Sequence, residues 1–261
     1  MAKRMFANRL LSKLFWLLLL LLLWELISRS GIFEPTLFPP FSKILLVFWQ
    51  ELTDGLLLEK TCYSLQLILK GLFLSLAITV VLSFGAVSSR WVEDLVDVLN
   101  SILHPLPGIA LLPVAILWFG IGETSILFII LHSVIWPMVV NLKTGFRSVP
   151  SIYLELGRSF GLKGIRLLGG VILPSSLPYF ISGLKIGWAR AWRAVIAAEM
   201  VFGAASGTAG GLGWHIYMTR YYFDIAGTFA ALLAIVIIGI LVEELFFNIL
   251  EKMTIKKWGM V

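Results

Sequence analysis

The sequence has little charge. Only 14% of its 261 residues are charged, while 59% are hydrophobic and the mean hydropathy is +0.95. A soluble globular domain is roughly 45 to 50% apolar. A disordered chain, a coiled coil and an ordinary soluble enzyme are therefore excluded, because a compact sphere of this size could not hide so much apolar side chain. The composition predicts one polytopic, all-α integral membrane domain.

Cysteine is almost absent. Cys62 stands alone, so one chain can build neither a disulfide framework nor a thiolate metal site. The three histidines are far apart and show no H-E-x-x-H spacing. The sequence also lacks G-x-x-x-x-G-K-[ST], the loop whose backbone amides hold nucleotide phosphates. No metal and no cofactor of its own are expected.

Stretches poor in ionisable residues mark the expected spans, since about 20 apolar residues cross the hydrocarbon core. The first is a leucine run that follows four basic residues. A secretory signal begins in the same way, but no A-x-A cleavage pattern follows, which favours an uncleaved anchor. The six predicted spans are residues 15–27, 71–89, 98–121, 126–141, 172–203 and 225–242.

The basic residues indicate the orientation. With the N-terminus in the cytoplasm, thirteen of the 21 lysines and arginines fall on the cytoplasmic side, five fall outside and three lie within the fifth span. This positive-inside bias predicts that both termini are cytoplasmic. It also accounts for the net charge of +6 without nucleic acid as a partner.

Two segments are expected to be irregular. After Phe38-Pro-Pro-Phe41, residues 44–58 are typical of a short amphipathic helix at the outer interface. In the third span, His104-Pro-Leu-Pro-Gly108 and Pro113 interrupt the helix. Backbone groups freed in lipid must be satisfied by neighbouring helices or lie against a cavity. The break therefore either lines a pathway or is a re-entrant elbow with a packing role only.

The longest cytoplasmic connection, residues 148–174, is predicted to fold into two short helices at a bend. Pro150 and Ser151 favour a helix start, and Gly161 can adopt the left-handed C-terminal conformation. Between them Ile152, Leu156 and Phe160 recur every four residues as an apolar stripe. A hydrophobic knob outside the bilayer, surrounded by basic residues, is suited to binding a partner.

This connection resembles the EAA loop of permease subunits of type I ABC importers, written E-A-A-x3-G-x9-I-x-L-P. Glu155, Gly161, Leu173 and Pro174 fit at the correct spacing, whereas Leu156 and Gly157 replace the two alanines and Val171 replaces isoleucine. Glycine lowers helix propensity by about 1 kcal/mol relative to alanine. The position of the loop, between the fourth and fifth predicted spans, strengthens the resemblance.

Further stretches resemble the subfamily that imports nitrate, taurine and alkanesulfonates. They are Leu106-Pro-Gly-Ile-Ala-Leu-Leu-Pro113, Leu117-Trp-Phe-Gly-Ile-Gly-Glu-Thr124, Gly145-Phe-Arg-Ser-Val-Pro150, and Ala197-Ala-Glu199 through Gly210-Gly-Leu-Gly213. The resemblance implies a six-helix type I ABC importer transmembrane domain (MetI-like) in the bacterial inner membrane. It implies a homodimeric channel, two cytoplasmic ATPase subunits that bind ATP-Mg, and an extracytoplasmic solute-binding protein.

The resemblance also implies a division of the chain. Residues 1–60 hold a cytoplasmic tail, the first span and the outer interfacial segment; residues 61–250 hold the type-1 domain; residues 251–261 form a tail. Contact with the ATPase is expected from the 148–174 loop. Its candidate residues are Glu155, Leu156, Gly157, Arg158, Phe160, Gly161, Lys163, Arg166, Leu173 and Pro174. Glu155 is expected to cap or salt-bridge within the knob; the alternative is that it only solvates a helix face.

Four charged residues lie within the fifth span: Lys185, Arg190, Arg193 and Glu199. A lipid-facing charge there would cost about 2.5 to 3.5 kcal/mol, so these side chains should face the bundle. At roughly 100° per residue the three basic groups share one side of the helix, which suits an oxyanion in transit. Alternatively, the arginines pair with Glu199 or Glu123, or snorkel outward.

The glycine-rich residues 203–213 are expected to form an outer gate, a surface for the binding protein, or a flexible loop. The function predicted is thus a non-catalytic permease subunit for a small anionic solute. Two rival functions are less consistent with the sequence. A membrane enzyme would draw on Asp94, Asp97, His104 and His132, which show no catalytic spacing. A secondary carrier or channel would need no cytoplasmic knob.

Overall fold

A computed structural model describes residues 2–202 and 210–256, with side chains over 11–202 and 210–254. The described residues are helical and contain no strand. The helices are α1 (Ala2–Arg29), α2 (Phe41–Thr53), α3 (Leu56–Ser88), α4 (Arg90–Leu103), α5 (Leu112–Phe119), α6 (Glu123–Arg147), α7 (Ser151–Ser159), α8 (Gly164–Leu167), α9 (Leu173–Ser175), α10 (Leu177–Phe202), α11 (Leu212–Tyr221), α12 (Ile225–Ile240) and α13 (Asn248–Glu251).

Shorter irregular helices join some of these elements. A 3₁₀ turn, Gly108–Leu111, leads into α5. A π-helical turn, Leu168–Ile172, joins α8 to α9. Two more, Leu241–Phe247 and Lys252–Lys256, flank α13 and extend the last long helix.

The core of the bundle lies between α3, α6 and α10, with α6 in the middle. Ile68, Ile130 and Val195, one from each helix, are completely buried in it. Along α3 the buried face also carries small polar residues, Ser75 and Thr79 among them. Small side chains let helix backbones approach closely, and close van der Waals packing is the main force that holds helices together in lipid.

The outer faces of the bundle are apolar. In α1 nearly every leucine from Leu11 onward is exposed, and α3, α5 and α12 expose large apolar side chains as well. Such a surface would aggregate in water. The exposed face therefore agrees with the prediction of an integral membrane protein.

Four described helices are long and apolar enough to cross a membrane, and up to six if each of two bent helix pairs counts as one span. The first pair, Arg90–Leu103 with Gly108–Phe119, bends by 87° at the predicted break after His104. The interruption of the third span is thus confirmed. The second pair, Gly164–Ser175 with Leu177–Phe202, bends by 75°.

The structure contains two helical features that were not predicted from the sequence. The helix of the second span begins at Leu56, well before Gly71, so Lys60 and Lys70 lie within α3 and not in a loop. The lysines at 60 and 70 placed the predicted start of the span at Gly71, but a helix can extend beyond the hydrocarbon core into water. The segment between the fifth and sixth spans also contains α11, whose one-turn spacing of Leu212, Ile216 and Thr219 buries one face.

Candidate coupling loop and transmembrane cleft

The loop 148–174 folds as predicted into two short helices at a bend. After α7, Gly161 has a φ of 77°, in the left-handed region. The amide of Gly161 donates to the carbonyl of Arg158 (2.9 Å), and the amide of Leu162 donates to the carbonyl of Gly157 (3.0 Å). These two bonds define a Schellman C-cap, which ends α7 sharply and turns the chain toward α8.

Gly157 lies where α7 packs on the following turns. It is buried, and a Cβ at this position would lie 2.7 Å from Cδ1 of Leu167 and 2.9 Å from Cγ2 of Val171. Glycine at this departure from the EAA pattern therefore allows close packing. Glycine lowers the helix propensity of α7 here, but it lets α7 pack closely against the following turns.

The loop is also fastened to the bundle. Leu168 packs in a buried cluster with Leu142 and Phe146 at the end of α6, and Ile172 and Phe180 pack against the same cluster. Two ion pairs join α4 to the same end of α6: Lys143 Nζ lies 3.1 Å from Glu93 Oε1 and 2.5 Å from Asp97 Oδ1. Arg147 also pairs with Glu93. The loop is thus held as a rigid projection.

The apolar stripe of the loop is exposed. Phe160 is 83% exposed and Ile165 78%, and Ile152, Tyr153 and Leu156 are about half exposed. The basic side chains around them, Arg158, Lys163 and Arg166, are exposed too. Large apolar side chains that project from a compact loop, with cations around them, form a surface suited to a protein partner. We call these residues, from Ile152 to Arg166, the docking face.

Glu155 forms neither a cap nor a salt bridge within the loop, among the described residues. Its side chain is exposed, and within the described part of the chain it makes no ion pair and no hydrogen bond. The predicted internal salt bridge is therefore wrong in the isolated chain. Arg158 is the one cation of α7, and because the Glu155 side chain is exposed, a partner can reach its carboxylate.

Pro174 lies in α9, at the second bend. Leu173 and Pro174 precede Ser176, which is fully buried and whose hydroxyl donates to the carbonyl of Leu173 (3.2 Å). Proline has no amide hydrogen to donate and fixes φ, so it suits the first turn of a helix that changes direction. The predicted turn of the chain into the fifth span is found here.

Arg190 and Arg193 lie together on an open cleft of about 460 Å³. The cleft is formed by α10, by α6 and by the break before α5; its remaining lining residues are Pro107, Gly108, Ile109, Ser133, Ala194 and Ala197. The interrupted third span thus lines a cavity beside basic residues. Of the two readings of the break, the pathway reading agrees with this geometry.

Of the alternatives for these arginines, pairing with Glu199 or Glu123 is not found among the described residues. Arg190 Nη2 lies 3.4 Å from His104 Nε2, and Arg193 Nε donates to the carbonyl of Ala189 (2.9 Å). Glu123, one expected partner, instead lies 3.2 Å from Lys70 Nζ. Among the described residues, neither guanidinium forms an ion pair with a carboxylate.

Lys185 and Glu199 lie elsewhere. Lys185 Nζ is 3.5 Å from Glu243 Oε1, on a neighbouring groove that Trp188, Trp192 and Arg193 also line. Glu199 is 1% exposed, and its carboxylate accepts hydrogen bonds from Ser64 Oγ (2.8 Å) and the Gly213 amide (2.9 Å). The structure therefore brings only two of the four predicted pathway residues into the cleft.

Sequence reasoning missed the contributions of α6 and of the break. Ser133 lines the cleft, and His132 donates from Nε2 to the carbonyl of Leu106 (3.1 Å), which satisfies a backbone group that the break frees. The adjacent polar residues His132 and Ser133, within an otherwise apolar span, were the sequence signal for a polar site in α6. Of the glycine-rich segment, residues 203–209 lie outside the described residues, so the prediction of a gate there is untested.

Gly161 allows a small and local prediction. A Cβ at this position would meet nothing within 4 Å, so Gly161→Ala adds only the strain of a positive φ. We expect it to lower the stability of α7 by about 1 kcal/mol. Hydrogen exchange at the Gly161 and Leu162 amides should rise by up to about tenfold, while exchange in α6 stays unchanged. A uniform rise across the bundle would contradict this assignment.

Fold and cleft together define a helical membrane domain with an open cleft and a projecting loop. Residues 71–256 match the family described as "Binding-protein-dependent transport system inner membrane component". The chain belongs to this family.

Named relatives indicate the kind of permease. The chain is 27% identical to the taurine transport system permease protein of Escherichia coli over 87% of this chain and 82% of that protein. It is 30% identical to a Methanocaldococcus jannaschii protein described as an ABC transporter permease, over 85% of this chain and 82% of the relative. It is also 30% identical to a nitrate import permease protein of Synechocystis, over 64% and 59%. The chain is an ABC transporter permease, and it is similar to permeases named for taurine and nitrate.

Proposed function

We propose that the chain is the translocation subunit of an ATP-driven importer, and that separate ATPase subunits bind its docking face. The observation that carries this proposal is the exposed apolar face of a loop that is otherwise fixed to the bundle. A face of this kind is stable in water only when a partner covers it. The EAA-like spacing and the family membership support an ABC ATPase as that partner.

The energy comes from the partner, because the sequence contains no nucleotide-binding loop. ATP-Mg bound between two ATPases draws them together, and each carries a docking face with it. A loop fastened to α6 and α10 transmits that movement to the helices around the cleft, whereas a floppy loop would absorb it. The complete complex in this proposal has two copies of the chain, two ATPases and an extracytoplasmic solute-binding protein.

The proposed orientation follows from the docking face. In this proposal the docking face lies in the cytoplasm of a bacterial cell, and both termini lie on the same side. The protein spans the inner membrane. The chain itself is non-catalytic. The solute is a small anion such as a sulfonate, taurine or nitrate; the names of the relatives and the two arginines without carboxylate partners support this assignment.

Copurification tests the partner. The tagged chain, purified from the cell that naturally makes it, is expected to bring down an ABC ATPase in equimolar amount. Phe160→Ala combined with Ile165→Ala should weaken this association by about 2 kcal/mol or more, because exposed apolar anchors dominate interfaces. Quantitative pull-down at several ATPase concentrations measures the loss.

A control uses Met253→Ala, which shortens an apolar side chain outside the loop that is 67% exposed. It should leave the association unchanged. A secondary carrier or channel is the alternative function. It is favoured if the wild-type chain binds no ATPase and still transports solute, or if the double variant binds the ATPase as well as the wild type.

A further inference from the structure

The open cleft at Arg190 and Arg193 has an unusual charge balance for the side of a helix within a predicted membrane span. Arg190 lies near the midpoint of α10, and Arg193 lies one turn beyond it. Ionisable side chains at such a depth are expensive and as a rule pair with one another. Here the nearby acids are already engaged: Glu123 with Lys70, Glu199 with Ser64 and the Gly213 amide, and Glu243 with Lys185.

The contacts that the arginines do make leave their charge uncompensated. A ring nitrogen of His104 lies 3.4 Å from Nη2 of Arg190, and the carbonyl of Ala189 accepts from Nε of Arg193. Neither contact removes a positive charge. The terminal nitrogens of Arg193 make no hydrogen bond to another described residue, so they remain available as donors to a ligand.

The rest of the lining suits a small ligand. The side chains that surround the guanidinium groups are small or come from the helix break, namely Gly108, Ala194 and Ala197 with Pro107 and Ile109. Ser133 adds a hydroxyl that makes no hydrogen bond to any other described residue. The lining contains no acidic side chain.

We propose that this cleft is a transit site for a small oxyanion, held by the guanidinium groups of Arg190 and Arg193 and by the hydroxyl of Ser133. Planar guanidinium groups donate paired hydrogen bonds to sulfonate or nitrate oxygens. The proposal rests on the proposed function. It changes the predicted group of pathway residues: Lys185 and Glu199 are left out, and Ser133 is added. It also gives the permease its own selection for negative charge, in addition to the choice made by a binding protein.

A chemical probe measures the local charge without any transport assay. Cys62 is the single native cysteine and is exposed, so Cys62→Ser combined with Ser133→Cys leaves one thiol, in the cleft. Two reagents are compared that react with a thiolate in the same way, each forming a mixed disulfide and releasing methanesulfinate, but that carry opposite charges: sulfonatoethyl methanethiosulfonate, itself a sulfonate, and the cationic trimethylammonioethyl methanethiosulfonate. The reference is the unchanged chain, in which the thiol is Cys62.

The anionic reagent is expected to react faster than the cationic one in the cleft, by about tenfold relative to the same ratio at Cys62. Arg190→Met and Arg193→Met, introduced together, should abolish this preference, and a Lys70→Met change should not. Taurine or nitrate at millimolar concentration should slow the anionic reagent. Equal ratios at the two thiols, or a preference that survives loss of both arginines, would overturn the proposal.

Uptake by the reconstituted complex separates this proposal from the proposed function. With labelled taurine and nitrate as probes, Arg193→Met should lower uptake at least about tenfold while ATP hydrolysis stimulated by the binding protein continues, and Arg193→Lys should recover part of it. Unchanged uptake in Arg193→Met overturns the transit site and leaves the importer intact. If the wild-type complex hydrolyses ATP but moves no anion, the proposed solute class fails.

Discussion

Replacing Glu199 by leucine is expected to prevent the chain from forming a stable bundle. The carboxylate is fully buried and joins three helices: Ser64 Oγ of α3 donates to it, and so does the amide of Gly213 at the start of α11. Ser64 in turn accepts from the amide of Leu212 (3.0 Å). Leucine leaves the Gly213 amide and the Ser64 hydroxyl without this partner, at about 1 to 3 kcal/mol for each orphaned group.

The loss should appear in detergent as a lower melting temperature and a smaller monodisperse fraction. Glu199→Gln is the informative comparison, because the amide oxygen can still accept from Gly213 while the volume is unchanged. We expect it to retain most of the stability. Glu123→Leu removes an exposed carboxylate from its ion pair and should cost no more than about 1 kcal/mol. A Glu199→Leu variant as stable as wild type would mean that α11 is held by other contacts.

The helix break and the docking face could be predicted from the sequence because their signals are local. Prolines at 105 and 107 forbid a regular helix over the preceding turn, and the structure bends there by 87°. Ile152, Leu156 and Phe160 repeat at the period of a helix, and Gly161 supplies the left-handed residue that ends it. Each of these features depends on residues within one or two turns of each other.

The partners of the charged residues could not be predicted in the same way. Opposite charges attract at any sequence separation, and the fold decides which of them meet. Glu123 pairs with Lys70 of α3. Glu199 accepts hydrogen bonds from Ser64 of α3 and from the Gly213 amide of α11, and the sequence of α10 alone does not indicate that these two groups lie beside it. Among the described residues, Arg190 and Arg193 consequently form no ion pair with a carboxylate, although Glu199 and Glu123 were available partners by sequence.

Filling the space at Gly157 is the change expected to affect coupling most. Gly157→Leu would force a side chain between α7 and the turns that carry Leu167 and Val171, where overpacking costs about 1 to 3 kcal/mol. The docking face would then move away from the bundle. If the proposed function holds, the ATPases should still bind and hydrolyse ATP, but labelled taurine or nitrate uptake per ATP should fall by about tenfold or more in proteoliposomes.

Two variants separate this effect from a general disturbance of the loop. Gly169→Leu places the same side chain in the same loop, where a Cβ meets nothing within 4 Å, and should leave uptake per ATP unchanged. Gly157→Ala should have a smaller effect than Gly157→Leu: its Cβ would lie 2.7 Å from Leu167 Cδ1 and 2.9 Å from Val171 Cγ2, so both neighbours must shift, and the gain in helix propensity, about 1 kcal/mol, offsets part of that cost. Equal uptake per ATP in Gly157→Leu and Gly169→Leu would show that transport does not depend on a rigid connection between the docking face and α10.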